Sequence, residues 1–429
     1  MLFFSQRYPR IEPMAVSTVI LDQPKVDSYL EPVGHAVWNN LTCIEFFAGI
    51  GLTHLGLSSH GWMCVYSNDI EAKKRRMYEA CFGSADHYHV EDVWRTERIL
   101  ARIPGRRVDL ATASFPCVDL SLAGNLKGLS GSQSGAFYGF IKVMKKLLEQ
   151  GRAPRAVLVE NVIGLLSSHD GKFFQIAIQQ LADLGYFLDA FVVDAKHFTP
   201  QSRPRLFILG FERSLMPAKR HQYYLFDGDG LDKFRENPGP LESGLRPRRL
   251  IEKLSATNVS TGWFPLNLPS LPAVNRDLRS CIDRDESQDW WQECRVKKHL
   301  AEMHAEHLRR ISALKKGTEV SVGTIYRRVR QGKSRSEIRT DGLAGCLRTP
   351  SGGSSKQIVF TAGKNRIRMR WMTPREYARL QGCPDYPIDN EVSRNEALWG
   401  FGDAVCVPVI SWIAENVLSQ LFPERTQSQ

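Results

Sequence analysis

Residues 108–121 read VDLATASFPCVDLS, and this stretch decides the fold. Its first part is mostly apolar or small, which is typical of a buried strand in a parallel sheet, and Cys117 follows closely. A second run of this kind, residues 155–159, leads into Glu160. Since open α/β sheets carry their chemistry at the carboxyl ends of the strands, we expect the thiol and the carboxyl group to face one crevice. A cysteine beside a buried strand is more often an inert apolar residue than a nucleophile, and the pairing with Glu160 favours a catalytic role.

The same alternation extends in both directions from this stretch. Residues 41–47 predict a first strand, which a glycine turn and a helix follow, and residues 63–67 predict a second strand before the charged helical segment 71–81. Further strands are expected near 187–193 and 206–211. Strands that alternate with helices in this way predict an α/β fold with a doubly wound, mostly parallel sheet.

The length of 429 residues exceeds what one hydrophobic core usually covers, so more than one domain is expected. After residue 212 the alternation stops, and prolines and tryptophans become frequent. We predict an N-terminal arm at 1–40, a catalytic and cofactor-binding domain at 41–212, a second, irregular domain at 213–392, and a C-terminal segment at 393–429 that returns to the catalytic domain.

The net charge of +11 suits a polyanionic partner, although a solvated basic surface would also account for it. Residues 309–339 contain ten lysines and arginines, against only Glu319 and Glu337. This density is typical of phosphate contacts, so the segment is a candidate nucleic-acid surface.

The nine cysteines include no CxxC pair, which indicates reduced thiols rather than a disulfide or zinc framework. Cys294, His299, His304 and His307 are close in sequence, but we interpret them as incidental residues of one helix and predict no metal site. The first seven residues lack the apolar core of a signal peptide, and no stretch approaches the roughly 20 apolar residues of a membrane span. We therefore expect a cytoplasmic protein.

Gly49 and Gly51, with His54 three residues further on, form a G-x-G-x-x-H pattern that lacks the third glycine of a dinucleotide-binding turn. Asp69 ends the second predicted strand, where an acidic side chain can accept hydrogen bonds from ribose hydroxyls. Nothing in this pattern requires a pyrophosphate. It favours a nucleoside cofactor without phosphates, and S-adenosylmethionine is such a molecule.

Several short motifs occur in a fixed order along the chain. They are EFFAGIG at 45–51, ND at 68–69, FPC at 115–117, ENV at 160–162, QSRPR at 201–205, DGL at 341–343, SGG at 351–353, TPRE at 373–376, ARLQG at 378–382 and GDAV at 402–405. In this order they resemble the DNA methyltransferases that methylate carbon 5 of cytosine, particularly the bacterial modification enzymes. The resemblance implies that residues 213 to about 340 form the target-recognition region.

The resemblance also implies a mechanism. Cys117 would add as a thiolate to carbon 6 of cytosine, so that carbon 5 becomes nucleophilic enough to take a methyl group from S-adenosylmethionine. Glu160 would supply a proton or hydrogen bond at ring nitrogen 3, and we expect burial to favour its protonated form. Arg205 would hold the cytosine carbonyl oxygen, with Arg203 in support. For these two arginines, surface ion pairs remain the alternative.

The cofactor would bind along the ends of the first strands. The implied contacts are Glu45, Phe47, Ala48, Gly49, Ile50, Gly51, Asp69, Ile70, Asp92, Val93, Pro116, Asp403 and Val405. The target cytosine must leave the duplex to reach the crevice. The run 123–135, rich in glycine and serine, resembles the family's mobile catalytic loop, and a plain surface loop is its alternative. The implied DNA contacts are Ser121, Lys127, Arg327, Arg328 and Arg330.

Three positions depart from the usual pattern of the family. Val118 replaces a glutamine, Gln133 and Ser134 stand where arginine and glycine are common, and Asp403 replaces an asparagine. The loop contacts and one cofactor contact are therefore open.

Double-stranded DNA is the implied partner, and the chain would act as a monomer that protects DNA from a separate cognate restriction endonuclease. Three alternatives remain: an RNA cytosine-5 methyltransferase of the same fold, a non-catalytic DNA-binding relative, and an NAD-dependent oxidoreductase. The long basic region argues against the first, and the presence of Cys117 and Glu160 argues against the second. The missing third glycine argues against the last.

Overall fold

The computed structural model describes residues 41–83, 85–116, 135–216, 244–257, 262–285, 288–330, 333–350, 356–388 and 392–423. The strands are β1 (Leu41–Phe46), β2 (Trp62–Asp69), β3 (Tyr88–Val90), β4 (Leu110–Ala113), β5 (Ala156–Val162), β6 (Phe187–Asp194), β7 (Pro204–Phe211), β8 (Ser321–Arg330), β9 (Lys333–Arg339), β10 (Ile358–Gly363) and β11 (Arg366–Trp371). The helices are α1 (Leu52–Ser58), α2 (Ala72–Phe82), α3 (Thr96–Arg102), α4 (Ala136–Glu149), α5 (Lys172–Asp183), α6 (Arg248–Ser255), α7 (Leu278–Cys281), α8 (Glu293–Ala301), α9 (Ala305–Lys316), α10 (Pro374–Leu380), α11 (Arg394–Asp403) and α12 (Val407–Asn416).

The larger sheet has seven strands in the order β3-β2-β1-β4-β5-β7-β6. Its neighbours pair in parallel from β3 to β5, whereas β7 is antiparallel to both β5 and β6. A short connection joins β6 to β7, and such a connection permits antiparallel pairing, because parallel neighbours need a long crossover. The predicted doubly wound, mostly parallel α/β fold is confirmed.

Helices cover both faces of this sheet. On one face α4 buries Phe137, Phe140, Ile141, Met144 and Leu147, which recur at the three- and four-residue spacing of an amphipathic helix. The other face carries α1 and α12. Since both faces are covered, the strands are apolar almost throughout, as the sequence of β5 and β7 suggests.

The last helices pack on the larger sheet's first elements. A Cβ atom on Gly56 of α1 would lie 2.7 Å from Cβ of Ile410 on α12, so this close helix contact needs a glycine. The Trp62 and Phe422 rings meet edge to face, with centroids 5.4 Å apart. These contacts hold the C-terminal helices against the beginning of the Rossmann-like sheet.

Within the part of the chain that is described, Arg394–Gln420 is the one segment long and apolar enough to cross a membrane, although the sequence suggested none. It contains two helices, α11 and α12, and 67% of its most apolar window is buried inside the protein. Core helices of soluble proteins have the same length and composition, so this segment is weak evidence for a span.

The second sheet is antiparallel throughout, in the order β11-β10-β8-β9. Its core side chains, including Ile325, Ile338 and Phe360, pack with Val296 of α8 and Ile311 of α9. This part of the chain is thus more regular than the sequence predicted. The helical stretch expected as one element is two helices, with a break between Ala301 and Ala305.

Residues 244–257 and 262–268 lie along the outer edge of the larger sheet. Arg246 and Asp189 form a fully buried ion pair of 2.6 Å, and the Phe264 amide donates to the Leu188 carbonyl at 2.8 Å. Residues within the range 213–392 therefore pack on β6. The domain boundaries themselves stay a prediction.

Candidate active site

The end of β4 leads toward Cys117. The strand stops at Ala113, Phe115 is buried and Pro116 is exposed, while Cys117 itself lies outside the described residues. On the neighbouring strand β5, the Asn161 side-chain amide donates to the carbonyl of Phe115 at 3.2 Å. This hydrogen bond ties the segment that precedes Cys117 to the residue next to Glu160.

Glu160 lies inside β5 rather than after it, because the strand continues to Val162. Its register partner on β7 is Phe207, and Val162 is opposite Arg205. Nε of Arg205 is 2.8 Å from Oε1 of Glu160, and the two side chains are 14% and 12% exposed. Burial alone would lower the pKa of Arg205, but Glu160 and Cys346 together outweigh it and the net pKa is raised. The carboxyl group therefore faces a guanidinium rather than purely apolar surroundings.

Arg203 is buried and binds backbone. One of its terminal nitrogens donates to the Leu347 carbonyl at 2.8 Å, and the other donates to the carbonyls of Gly402, at 3.2 Å, and Ala404. Burial lowers its pKa. Arg203 thus connects the segment before β7 to two distant segments, which is more than the support of Arg205 that the sequence suggested.

Cys346 lies between the two arginines. Arg203 donates to its sulfur at 3.4 Å and Arg205 at 3.7 Å. Burial alone would raise the pKa of this thiol, but the two guanidinium groups outweigh it and the net pKa is lowered. Sequence analysis missed Cys346, since no motif includes it.

The turn after β1 has a strained backbone. Phe47 has a φ of 58°, a conformation that costs a bulky residue of order 1–3 kcal/mol and is found mostly at functional sites. Gly51 has a φ of 80°, and a Cβ there would lie 2.6 Å from the rings of Tyr78 and Phe82. Above Gly49 there is open space, with no described atom within 4 Å of an added Cβ. Ala48 is buried, and its amide donates to the Asn68 carbonyl at 2.9 Å.

Asp69 joins this turn to the end of β2. Its Oδ2 accepts from the Gly49 amide and its Oδ1 from the Glu71 amide, both at 2.9 Å. Next to it, Ile70 is 64% exposed, which is unusual for an apolar side chain of this size. A carboxylate with further lone pairs beside an exposed apolar surface can take the hydroxyls and the flat base of a nucleoside.

The other predicted cofactor residues have different surroundings. Glu45 is 3% exposed beneath the turn, and burial raises its pKa well above the ordinary value, despite hydrogen bonds with Thr53 and His54. Asp92 follows β3 and accepts from the Trp94 amide at 3.0 Å, and Val93 is buried.

Ile50, Val405 and Asp403 also lie in different places. Ile50 and Val405 are buried in the core, whereas the Asp403 side chain is 45% exposed. The structure thus brings the ends of β1 to β4 together. Glu45, Ile50 and Val405 lie buried beneath the surface that these strand ends form.

Lys74 is a second residue that the sequence did not indicate. Its Nζ is 3.5 Å from Oδ2 of Asp69 and 3.4 Å from Oδ2 of Asp403. A lysine within a charged helix carries no signal of its own, and Asp403 is far along the chain.

The predicted DNA contacts are only partly described. Ser121 and Lys127 lie outside the described residues, and for Arg328 and Arg330 only the backbone of β8 is described. The Arg327 guanidinium stacks on the Trp371 ring at 5.2 Å, and Arg295 stacks on Trp291 at 3.9 Å. These pairs join basic side chains to aromatic faces at one end of the antiparallel sheet.

Behind the glycine turn, His54, Cys64 and His87 place donor atoms within 4.8 Å of one another. The Tyr78 hydroxyl lies 2.7 Å from Nδ1 of His54 and 2.8 Å from Nε2 of His87. Burial, and then His87, lower the pKa of His54 to about 3, so the ring is neutral. The Tyr78 hydroxyl can donate to one of the two histidine rings and accept from the other. We interpret these hydrogen bonds as a structural network that supports the glycine turn after β1.

These features, a carboxyl group paired with an arginine on β5 and β7 and an open glycine turn after β1 on a mostly parallel sheet, agree with the comparison of the sequence with known families. Residues 41–419 match the family described as C-5 cytosine-specific DNA methylase, and the chain belongs to it. It is accordingly an enzyme, a DNA (cytosine-5) methyltransferase that acts on DNA, in a family that generally uses S-adenosylmethionine.

Among its relatives are the type II methyltransferases M.HpaII of Haemophilus parainfluenzae and M.SsoII of Shigella sonnei. The first is 26% identical over 94% of this chain and 96% of its own length, and the second is 26% identical over 88% and 80%. Both are type II methyltransferases by name, and the predicted family is confirmed.

Solved structures with the same fold include a DNMT2 mutant of Spodoptera frugiperda, with a TM-score of 0.55 at 16% identity over 89% of this chain and 99% of that one. The Dnmt2 methyltransferase of S. pombe gives 0.53 at 17% identity over 89% and 99%. At such identities the likeness concerns the fold alone.

Proposed function

We propose that this enzyme methylates carbon 5 of a specific cytosine in duplex DNA through a covalent adduct with Cys117, and that it thereby protects DNA from a cognate restriction endonuclease. The observation that carries this proposal is the Glu160–Arg205 pair, 2.8 Å apart. Glu160 is on β5, the neighbour of the strand β4 that leads to Cys117, and Arg205 is on β7, the next strand after β5. A carboxyl group that brings a proton to ring nitrogen 3 and a forked guanidinium that donates to the carbonyl oxygen complement these two acceptors of cytosine.

The residues divide the chemistry among the ring atoms. The Cys117 thiolate attacks carbon 6, and the electron density that enters the ring is drawn to nitrogen 3, where Glu160 holds a shared proton. Arg205 keeps a terminal N–H for the carbonyl oxygen at position 2, while its Nε holds Glu160 in place. Once carbon 5 has taken the methyl group, a water accepts the carbon 5 proton and the bond between carbon 6 and the Cys117 sulfur breaks. The thiolate is released, the proton at nitrogen 3 returns to Glu160, and the ring recovers its aromatic character.

S-adenosylmethionine supplies the methyl group when it is bound. The residues present fit this cofactor, because the space above Gly49 is open, Asp69 retains lone pairs and Ile70 offers an exposed apolar face. Gly49 and Phe47 shape the turn that faces it, and Asp92, Val93 and Pro116 border the same edge of the sheet. Glu45 holds the turn from beneath through Thr53 and His54.

The target nucleotide leaves the DNA stack to reach this crevice, at a cost of a few kcal/mol. The run 123–135 would close over it, with Ser121 and Lys127 as phosphate contacts. The basic strand β8 would contact further phosphates through Arg327, Arg328 and Arg330. In this proposal the enzyme is a cytoplasmic monomer whose target-recognition part lies within 213–392.

Bisulfite sequencing of DNA from cells that express the chain tests the proposal. We expect protected cytosines at one short sequence context, and none in cells that express Cys117→Ser. Protection at no context, with the protein folded and abundant, would contradict the proposal. Equal protection by Cys117→Ser would contradict the covalent step.

A further inference from the structure

The Lys74 ammonium lies between two carboxylates that border the cofactor site. Its Nζ is within 3.5 Å of both Asp69 and Asp403, and the Lys74 side chain is 15% exposed. Burial alone would lower the pKa of Lys74, but the two carboxylates outweigh it and the net pKa is raised. The group is therefore a fixed positive charge in a largely enclosed position.

This ion pair connects the nucleoside side of the site to the end of α11. The Asp69 oxygen that faces Lys74 also accepts from the amide of Gly49, and Asp403 is the last residue of α11. A nucleoside whose ribose binds Asp69 thus has a lysine and a second carboxylate immediately beside it. A ribose substituent that extends past the glycine turn would meet one positive group, Lys74, and one negative group, Asp403, held next to each other.

The charges of this cluster complement those of an α-amino acid. Lys74 offers a cation to a carboxylate, and Asp403 offers an anion to an ammonium group, as charge-assisted hydrogen bonds require. Resting on the proposed use of S-adenosylmethionine, we propose that Lys74 binds the α-carboxylate of the cofactor and that Asp403 binds its α-ammonium. In the free protein the two side chains bind each other.

The assignment accounts for the departure at position 403. An aspartate there, in place of the usual asparagine, adds a second negative charge near Asp69, which would be unfavourable without a cation. Lys74 supplies that cation to both. Lysine and aspartate thus act as one matched pair for a zwitterion.

The test is the equilibrium binding of four ligands, measured by calorimetry on the full chain without DNA. S-adenosylmethionine and S-adenosylhomocysteine carry both charged groups, decarboxylated S-adenosylmethionine keeps only the ammonium group, and 5′-methylthioadenosine has neither. The variants are Lys74→Gln and Asp403→Asn. Lys73→Gln is the matched control, since Lys73 is the adjacent residue of α2, is 67% exposed and pairs with Glu396.

We expect Lys74→Gln to weaken the first two ligands about tenfold or more and to change the last two less than twofold. Asp403→Asn should weaken all ligands except 5′-methylthioadenosine, and Lys73→Gln should weaken none. An equal loss for all four ligands would show that Lys74 only positions Asp69 and the turn, and no loss would remove it from the site. Either result overturns the assignment, whereas a wild-type chain that binds none of the four contradicts the proposed cofactor itself.

Discussion

Arg205 on β7 binds Glu160 on β5 through its Nε atom, at 2.8 Å, across two strands that run in opposite directions. Because Nε makes this contact, the terminal nitrogens bind elsewhere: one donates to the Pro204 carbonyl at 3.0 Å and the other to the Cys346 sulfur at 3.7 Å. Each terminal nitrogen carries a second N–H that can donate to another acceptor. The antiparallel strand thus has a functional consequence. It brings the start of β7, with Arg205, to the same edge of the sheet as the end of β5.

Glu160→Gln should reduce methyl transfer by roughly 10²–10⁴, because the amide keeps a hydrogen bond to the base but transfers no proton. DNA affinity should change little. Single-turnover transfer of labelled methyl groups measures the effect, and Glu149→Gln on the exposed end of α4 is the control. Transfer at the wild-type rate would leave Glu160 a structural residue.

Arg203→Ala should lower the free energy of unfolding by about 3 kcal/mol, since the buried carbonyls of Leu347 and Ala404 lose their charged donor. Arg248→Ala removes an exposed pair with Glu252, and a change below about 0.5 kcal/mol is expected there. Urea unfolding of both variants makes the comparison. Equal effects would argue against Arg203 as the connection between these segments.

Replacement of Arg327, Arg328 and Arg330 by alanine should make the dependence of DNA affinity on salt shallower, by about 0.9 in the log–log slope for each phosphate contact removed. Fluorescence anisotropy with nonspecific duplex at several salt concentrations gives the slope. Lys145→Ala on α4 should leave the slope as it is. An unchanged slope in the triple variant would show that these arginines form an ordinary basic surface and do not contact DNA phosphates.

Acid should destabilise the protein in part through His54, whose pKa is about 3 when folded and 6.5 ordinarily. Between these values the unfolded chain binds a proton that the folded protein excludes, so stability falls as pH drops below 6.5. His54→Gln should reduce this fall by up to about 1.4 kcal/mol per pH unit. Urea unfolding at pH 7.5 and 5.5 measures it, with exposed His169→Asn as control. The same pH dependence in both variants would contradict the assignment.

The sequence predicted those parts of the site that depend on local pattern. Apolar runs located β4 and β5, and with them the carboxyl ends that carry Glu160 and precede Cys117, because strand ends of a parallel sheet share one edge. The glycines and Asp69 were predicted for the same reason. The alternation of strand and helix patterns along the sequence also predicted that helices follow the strands of the larger sheet.

Contacts between distant segments were not predictable in this way. Lys74 meets Asp403, and Cys346 meets Arg203, only after the C-terminal part has packed on the larger sheet. The strands β8 and β9 were missed because their arginines indicated a basic segment. Each strand contributes one isoleucine to the same core, Ile325 from β8 and Ile338 from β9, and the surrounding arginines hide this apolar pattern. The density of basic residues in this segment suggested a nucleic-acid partner, but it obscured the antiparallel sheet to which the segment belongs.

Covalent trapping is the most stringent test of catalysis through Cys117. A duplex that carries 5-fluorocytosine at the methylated position cannot lose its carbon 5 substituent, so with S-adenosylmethionine the wild-type enzyme should form an adduct that survives denaturing electrophoresis. Cys346→Ser, which removes the thiol that Arg205 contacts, should still form it, and Cys117→Ser should not. Two results would contradict covalent catalysis by Cys117. One is an adduct that persists in Cys117→Ser. The other is a wild-type enzyme that methylates ordinary DNA and binds the fluorinated duplex without being trapped on it.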